Sequence, residues 1–197
     1  MNSMFHDGMR ALQDEFDGRR VADALEKNRK HTAFLADDIA LIRQSSFFFL
    51  ATHHADSVDC SYKGGAPGFV HVIGENTLEW PDYDGNSMYR SLGNISRQPR
   101  VGLLFIRFDG ENTLLRINGT ASLHRDEETL ARHHGAKRVV RMVADYMFPN
   151  CPRYIPALTM TQPSPHNPVP GYIPPAPQWK SRGYIKGILP NDDPHGS

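Results

Sequence analysis

The 197-residue sequence predicts a mainly β protein with flanking helices, built as a closed or nearly closed antiparallel barrel. Three observations predict it. From residue 47, short runs rich in β-branched and aromatic residues follow one another at close spacing, separated by Gly- and Asn-containing turns. One helical pattern, over about 86–98, interrupts them. Ten of the fifteen prolines fall within 149–177, where neither a regular strand nor a helix persists.

Met9, Leu12, Phe16, Val21 and Leu25 recur at helical intervals amid charge, which predicts a first helix interrupted near Asp17-Gly18. A short second helix follows, in which Asp37 and Asp38 precede Ile39, Leu41 and Ile42 and sit favourably against the dipole of its first turn. "FFFLATHH" (47–54) is apolar enough for a strand buried on both faces. Five further strands are expected at 58–63, 68–73, 76–80, 100–108 and 112–124. Their turn signals are Gly64-Gly65, Gly74-Glu75-Asn76 and Asp109-Gly110-Glu111-Asn112. Residues 126–132 hold one or two helical turns, and "RVVRMVADYMF" (138–148) alternates as a last barrel strand. The chain thus divides into a helical segment (1–45), the barrel (46–150) and a Pro-rich arm (151–197), within one structural domain. Trp179, Tyr184, Ile185, Ile188 and Leu189 give the arm apolar anchors, so it is expected to dock rather than to hang free.

Lys and Arg total 22 and Asp and Glu total 22, so no global field draws the chain to nucleic acid or to an anionic membrane. Any anion must be held locally. The first twenty residues lack the apolar core of a signal peptide and no run reaches the roughly 18 apolar residues of a membrane span, so a cytoplasmic location is expected. Cys60 and Cys151 form no disulfide framework and are expected as thiols. The adjacent pairs His53-His54 and His133-His134 point to opposite faces of a strand and make poor chelates, so no metal is expected.

Two stretches carry candidate chemistry. In "WPDYDGNSMYRSLGNISRQPRVGLLFIRF" (80–108), an acidic turn leads to Asn86 or Ser87 as N-cap of a helix that ends before Pro99. Arg90 and Asn94 are four apart and share a face, with Ser91 at the same end. Unpaired N–H groups, the positive end of the dipole and a guanidinium fork together suit a phosphate, although an ordinary capped helix reads the same way. In "CSYKGGAPGFVHV" (60–72), Ser61 and Lys63 end one strand, glycines allow a close backbone approach to a flat ligand, and Phe69 and Val70 begin the next. Read as structure alone, it is a Gly-rich hairpin connection.

"SYKGGAPGFVHV", "PDYDGN" with "RSLGNI", "QPRVGLLF" and "TLLRINGTASL" stand in the order and spacing that resemble the pyridoxamine 5'-phosphate oxidase-like family of FMN-binding split barrels. The resemblance covers roughly residues 45–150. It implies a six-stranded split β-barrel, a homodimer, and one FMN in each of two clefts at the subunit interface. Carried onto this chain, it puts Ser61 and Lys63 against the phosphate or ribityl chain and Phe69 and Val70 along the isoalloxazine. Asn86, Arg90, Ser91 and Asn94 complete the phosphate site, and Arg116 and Asn118 come from the same or the opposite subunit. A cation near the flavin N1–C2=O edge stabilises the reduced, anionic flavin, and Arg116 is a source of that charge.

The strand Phe69-Val70-His71-Val72-Ile73 lacks the Arg and Lys of a true pyridoxamine phosphate oxidase, and "PQWKSRGYIKGILP" has no counterpart of its Arg-His pair. The chain therefore resembles the uncharacterised bacterial branch instead. The expected function is an FMN-dependent oxidoreductase acting on a small organic acceptor or oxygen. The alternative is a non-catalytic module that carries or senses FMN, haem or the deazaflavin F420. His71 is a candidate proton donor or haem ligand, and Arg153, beside Cys151, a candidate for the flavin cleft.

Overall fold

The computed structural model describes residues 3–109, 113–191, 193 and 195. Its centre is one antiparallel sheet of seven strands in the order β2-β1-β5-β6-β7-β4-β3. The strands are β1 (Phe47–His54), β2 (Ser57–Gly64), β3 (His71–Val72), β4 (Thr77–Asp82), β5 (Arg100–Arg107), β6 (Thr113–His124) and β7 (Arg138–Asn150). All seven stretches read as strands in the sequence recur, so the sheet has one strand more than the six-stranded barrel that the resemblance implies, and 68–73 shrinks to the two-residue β3. The turn read at 109–112 lies, for residues 110–112, outside the described residues.

β3 is short for a packing reason. A Cβ on Gly65 would lie 2.5 Å from the Phe69 ring, so the chain after β2 lets Phe69 cross over the glycine into the core instead of continuing extended. Phe69 and Val70 are consequently buried. Alternation along β1 buries Phe48, Leu50 and Thr52 and turns Phe47, Phe49 and Ala51 to the other face. The Phe48 ring meets Phe105 at 5.1 Å, Trp80 at 5.4 Å and Phe69 at 6.0 Å between centroids. β1 and β4 lie near opposite ends of the sheet order, so contact between Phe48 and Trp80 means that the sheet has curled on itself into a split barrel. Phe48→Ala would open that core at a cost of about 3–5 kcal/mol. Gly119 marks the irregularity in the β6–β7 pairing, where a Cβ would meet the Val143 carbonyl oxygen at 2.2 Å.

Helices α1 (Asp7–Glu15) and α2 (Arg19–Arg29) are separated at Asp17, whose φ of 51° ends the first one as the Asp17-Gly18 signal predicts. Neither helix buries a residue. Ion pairs join them, Arg10 to Asp23 at 2.6 Å and Arg19 to Asp14 at 2.5 Å. Helix α3 (Ala36–Gln44) buries Leu41 and Ile42, and Asp38 accepts from the Leu35 N–H at 2.9 Å and meets His31 Nε2 at 2.7 Å. α4 (Arg90–Arg97) packs Leu92 and Ile95 into the barrel core, and α5 (Glu127–Ala131) is capped by Asp126.

β7 continues through Pro149, which pairs with Leu115 on β6 only. Proline is tolerated there because β4 has already ended and that side of β7 needs no donor. The arm beyond β7 crosses the barrel without regular structure up to a 3-10 helix, Gln178–Ser181. Of its expected apolar anchors Trp179, Ile185 and Leu189 are half-buried, while Tyr184 and Ile188 are exposed and none is fully buried. Lys180 is buried instead, and its Nζ donates to both oxygens of Asp193 at 2.9 and 2.7 Å and to Asp84 Oδ2 at 2.7 Å.

A second buried charge lies on β4. Glu79 is fully buried and accepts from Arg141 Nε at 2.8 Å and from Arg132 Nη2 at 3.0 Å, with His133 Nε2 at 3.4 Å. His71, paired across β3 and β4 with Glu79, stacks on the His133 ring at 4.1 Å. Burial would raise the Glu79 pKa, but the hydrogen bonds from Arg141, Arg132 and His133 overcome it and hold the carboxylate below its ordinary value.

Candidate functional site: an anion cradle between an edge strand and a helix start

β2 is an edge strand, and Asp59, Ser61 and Lys63 recur on it at every second position, so they share one face. Across from them the chain leaves β4 at Asp82 and reaches α4 through residues 83–89. Asn86 Oδ1 accepts from the Met88 N–H at 3.1 Å inside this turn. Because Asn86 serves the turn, the helix starts at Arg90 and not at the expected 86–87. The Ncap position falls to Tyr89, whose φ is 49°, and Ser87 has a φ of 60°. Two non-glycine residues in the left-handed region cost about 1–2 kcal/mol each, a strain that clusters at functional sites. Tyr89 offers no side-chain cap, so the first-turn N–H groups of α4 are left without one.

Ser61, Lys63, Asn86, Arg90 and Ser91 converge on one cavity of about 480 Å³, bordered also by Asp59, Asp82, Asp84 and Lys137. Within it Arg90 Nη2 pairs with Asp59 Oδ1 at 2.8 Å. Ser61 Oγ donates to Asp59 Oδ2 at 2.9 Å and lies 2.7 Å from Ser91 Oγ, so the hydroxyls of Ser91 and Ser61 form a chain ending on the carboxylate. Asp84 is held by Lys137 at 2.9 Å and by Lys180 at 2.7 Å. Lys63 and Asp82 are both half-buried, and among the described residues neither side chain has a hydrogen-bond or ion-pair partner. Desolvation lowers the Lys63 pKa against the pull of Asp82 and Asp59, and desolvation raises the Asp82 pKa against the pull of Lys63.

The other sequence-derived candidates lie elsewhere. Asn94 lies one turn beyond Arg90 along the same face of α4, past the cavity, and its amide donates to Thr52 Oγ1 at 3.0 Å, tying α4 to β1. Phe69 and Val70 present their side chains to the core, so only their backbone is available to a ligand. Arg116, hydrogen-bonded to Asn150, and Asn118 stand on the outward face of β6 and do not line the cavity. His71 is likewise absent from its lining. Cys60 and Cys151 are free and exposed, and the Arg153 backbone N–H and guanidinium hold the Cys151 thiol below its ordinary pKa.

Sequence reasoning missed Asp59, Asp82 and Lys137 as members of this site, and Lys180, which braces it through Asp84. The two-residue period of Asp59, Ser61 and Lys63 is a signal that could have found the first of them. Lys137 and Lys180 carry no local signal, since they reach the turn from 53 and 96 residues away.

The cavity opens through Tyr62, Lys63 and residues 82–86 into a groove of about 1380 Å³. Phe47, Phe49 and Tyr62 line it on the barrel side, and residues 158–167 and Trp179 of the arm line it on the other. The split barrel thus sets a polar cradle at a helix start beside an aromatic groove. The family described as pyridoxamine 5'-phosphate oxidase matches residues 38–165, more than half of the chain, and the chain belongs to that family.

Among solved structures, the chain is similar to a conserved hypothetical protein from Mycobacterium tuberculosis, at 18% identity over 68% of this chain and 98% of that one, with a TM-score of 0.48. An FMN-binding protein from Syntrophomonas wolfei matches at 13% identity over 73% and 97%, TM-score 0.45. HupZ of Group A Streptococcus matches at 16% identity over 59% and 94%, TM-score 0.44. No curated protein matches the chain.

Proposed function

We propose that the chain is an FMN-binding flavoprotein whose cofactor phosphate sits at the start of α4 and whose isoalloxazine lies along the aromatic groove. The observation that carries this reading is the convergence of Ser61, Lys63, Arg90 and Ser91 with a helix start that no side chain caps. The donor set fits a phosphate monoester: a guanidinium, an ammonium, two hydroxyls and backbone N–H groups are what its oxygens need. The lining charge is balanced, with Lys63, Arg90 and Lys137 set against Asp59, Asp82 and Asp84, so the fit requires Asp59 to give way. Arg90 and the two serines then orient the phosphate, Lys63 neutralises it from the groove side, and the unpartnered Asp82 accepts from a hydroxyl of the ligand.

When bound, FMN supplies hydride or electron transfer. Among the described residues the groove proposed for the isoalloxazine is lined by no cysteine and by one histidine, His166, so turnover rests on the cofactor and not on a thiol nucleophile. The outward residues Phe47, Phe49, Leu104 and Ile106 of β1 and β5 form an apolar face suited to a second copy, across which Arg116 and Asn118 reach the partner's groove. Arg116 there is the cation for the reduced flavin. The test is the absorbance spectrum of purified protein together with a titration of the cofactor-free protein with FMN. A flavin band and stoichiometric uptake are expected, and colourless protein that takes up no FMN refutes the reading. Steady-state NAD(P)H oxidation with several acceptors, above the rate of free FMN, separates an oxidoreductase from a carrier.

A further inference from the structure

We propose that Asp59 is the specificity-determining residue of this cradle: its carboxylate holds the place of the ligand's phosphate and admits only an anion able to outbid it. The inference rests on the anion-cradle part of the function proposed above. Asp59 takes the Arg90 guanidinium at 2.8 Å and the Ser61 hydroxyl at 2.9 Å, with Ser91 Oγ at 3.5 Å, which are the groups a phosphate oxygen would take. The aspartate side chain is mostly buried while Arg90 is largely exposed, so the carboxylate sits inside the cradle and the arginine closes over it from solvent.

An internal carboxylate is always present at the site, whereas a ligand must be brought from solution. A ligand carboxylate would exchange one single charge for an identical one and gain nothing. A phosphate monoester carries nearly two charges and three acceptor oxygens. It reaches Arg90 and the two serines and also the first-turn N–H groups of α4, which no side chain caps and which Asp59 does not contact. Only such an anion makes up for moving Asp59 aside. Once bound, the phosphate lies beside a displaced like charge, so Asp59 lowers the affinity it makes selective.

The experiment compares Asp59→Asn with the unchanged protein, using FMN, riboflavin and inorganic phosphate as probes. Asparagine keeps the shape and the Ser61 hydrogen bond while removing the charge, and Asp59→Ser serves as a second variant, with thermal melts confirming the fold of both. Expected are about tenfold tighter FMN binding in both variants, a change of about 1.4 kcal/mol, and no change for riboflavin, which lacks the phosphate. Inorganic phosphate, followed through the amide NMR shifts of residues 90–92, is expected to bind the variants more tightly by a similar factor. Equal or weaker phosphate and FMN binding in the variants overturns the inference, as does an equal gain for riboflavin. If phosphate shows the expected preference and no protein takes up FMN, the inference stands and the flavin reading alone falls.

Discussion

Glu79 on β4 and Asp59 on β2 both meet arginine, and the two meetings differ in completeness. Glu79 is wholly buried, with Arg132 and Arg141 together supplying donors to both of its oxygens and His133 closing the remaining side. Asp59 holds one largely exposed arginine and a pair of serines, next to helix N–H groups that lack a cap. A saturated carboxylate has nothing left to offer a ligand and serves the fold. An unsaturated one marks a place where another anion can do better. Both clusters set a carboxylate against arginine, and what separates them is how many donors remain unclaimed.

The largest effect that tests this contrast comes from Glu79→Ala. It leaves two arginines facing an empty buried site and should cost about 3–5 kcal/mol in urea unfolding, with loss of soluble protein as the extreme result. A cost below about 1 kcal/mol would show that the Glu79 cluster carries little of the fold. Next comes Lys180→Ala, which strips Asp193 and Asp84 of a buried cation and should cost about 1–3 kcal/mol. Its specific signature is faster proteolytic cleavage within residues 151–177, and an unchanged cleavage rate would mean that the arm is held by other contacts. Arg90→Ala should weaken FMN by about 1–3 kcal/mol, with a smaller drop in melting temperature because the mostly buried Asp59 loses its guanidinium partner. Equal loss for riboflavin would contradict a phosphate role.

The smallest effect is the pH dependence of stability. Burial holds His133 below its ordinary 6.5, reinforced by the neighbouring His71 and opposed by Glu79, and burial lowers His71 as well. In both, burial thus favours the neutral ring in the fold. Their contribution is fully present above 6.5 and is lost as pH falls through that value towards their lowered folded pKa. Glu79 acts in the same sense at lower pH, below its ordinary 4.5. Melting temperature is expected to fall from pH 7 to pH 5, and His133→Gln should flatten that slope; a slope unchanged in the variant would place its origin elsewhere.

The barrel was legible because strand signals are local. The apolar run at 47–54, the β-rich stretches at 100–108 and 112–124 and the breaks at Gly64-Gly65 and Pro99 are each contained within a few residues, although β1 buries one face and not the expected two, because its other face lines the groove. β3 was over-read at 68–73 because Phe69 and Val70 look like strand residues, and only the contact between Gly65 and the Phe69 ring shows that they leave the sheet. Part of the cradle was legible as well, through Ser61, Lys63, Arg90 and Ser91. Its negative half was not, since nothing near Asp59 in sequence says that Arg90 will fold over it. Asn94 was misplaced for a related reason. Helical spacing says which residues share a face, but not how many turns of that face the cavity spans.

The bond from Lys180 to Asp84 spans 96 residues. Contacts so distant in sequence carry a high loop-closure entropy and form late. During synthesis all seven strands and α4 have left the ribosome before Lys180 and Asp193 appear, so the barrel can assemble while its ligand turn still lacks one of its two lysine braces. The turn between β4 and α4 thus reaches its final bracing only after the chain has been made through residue 193.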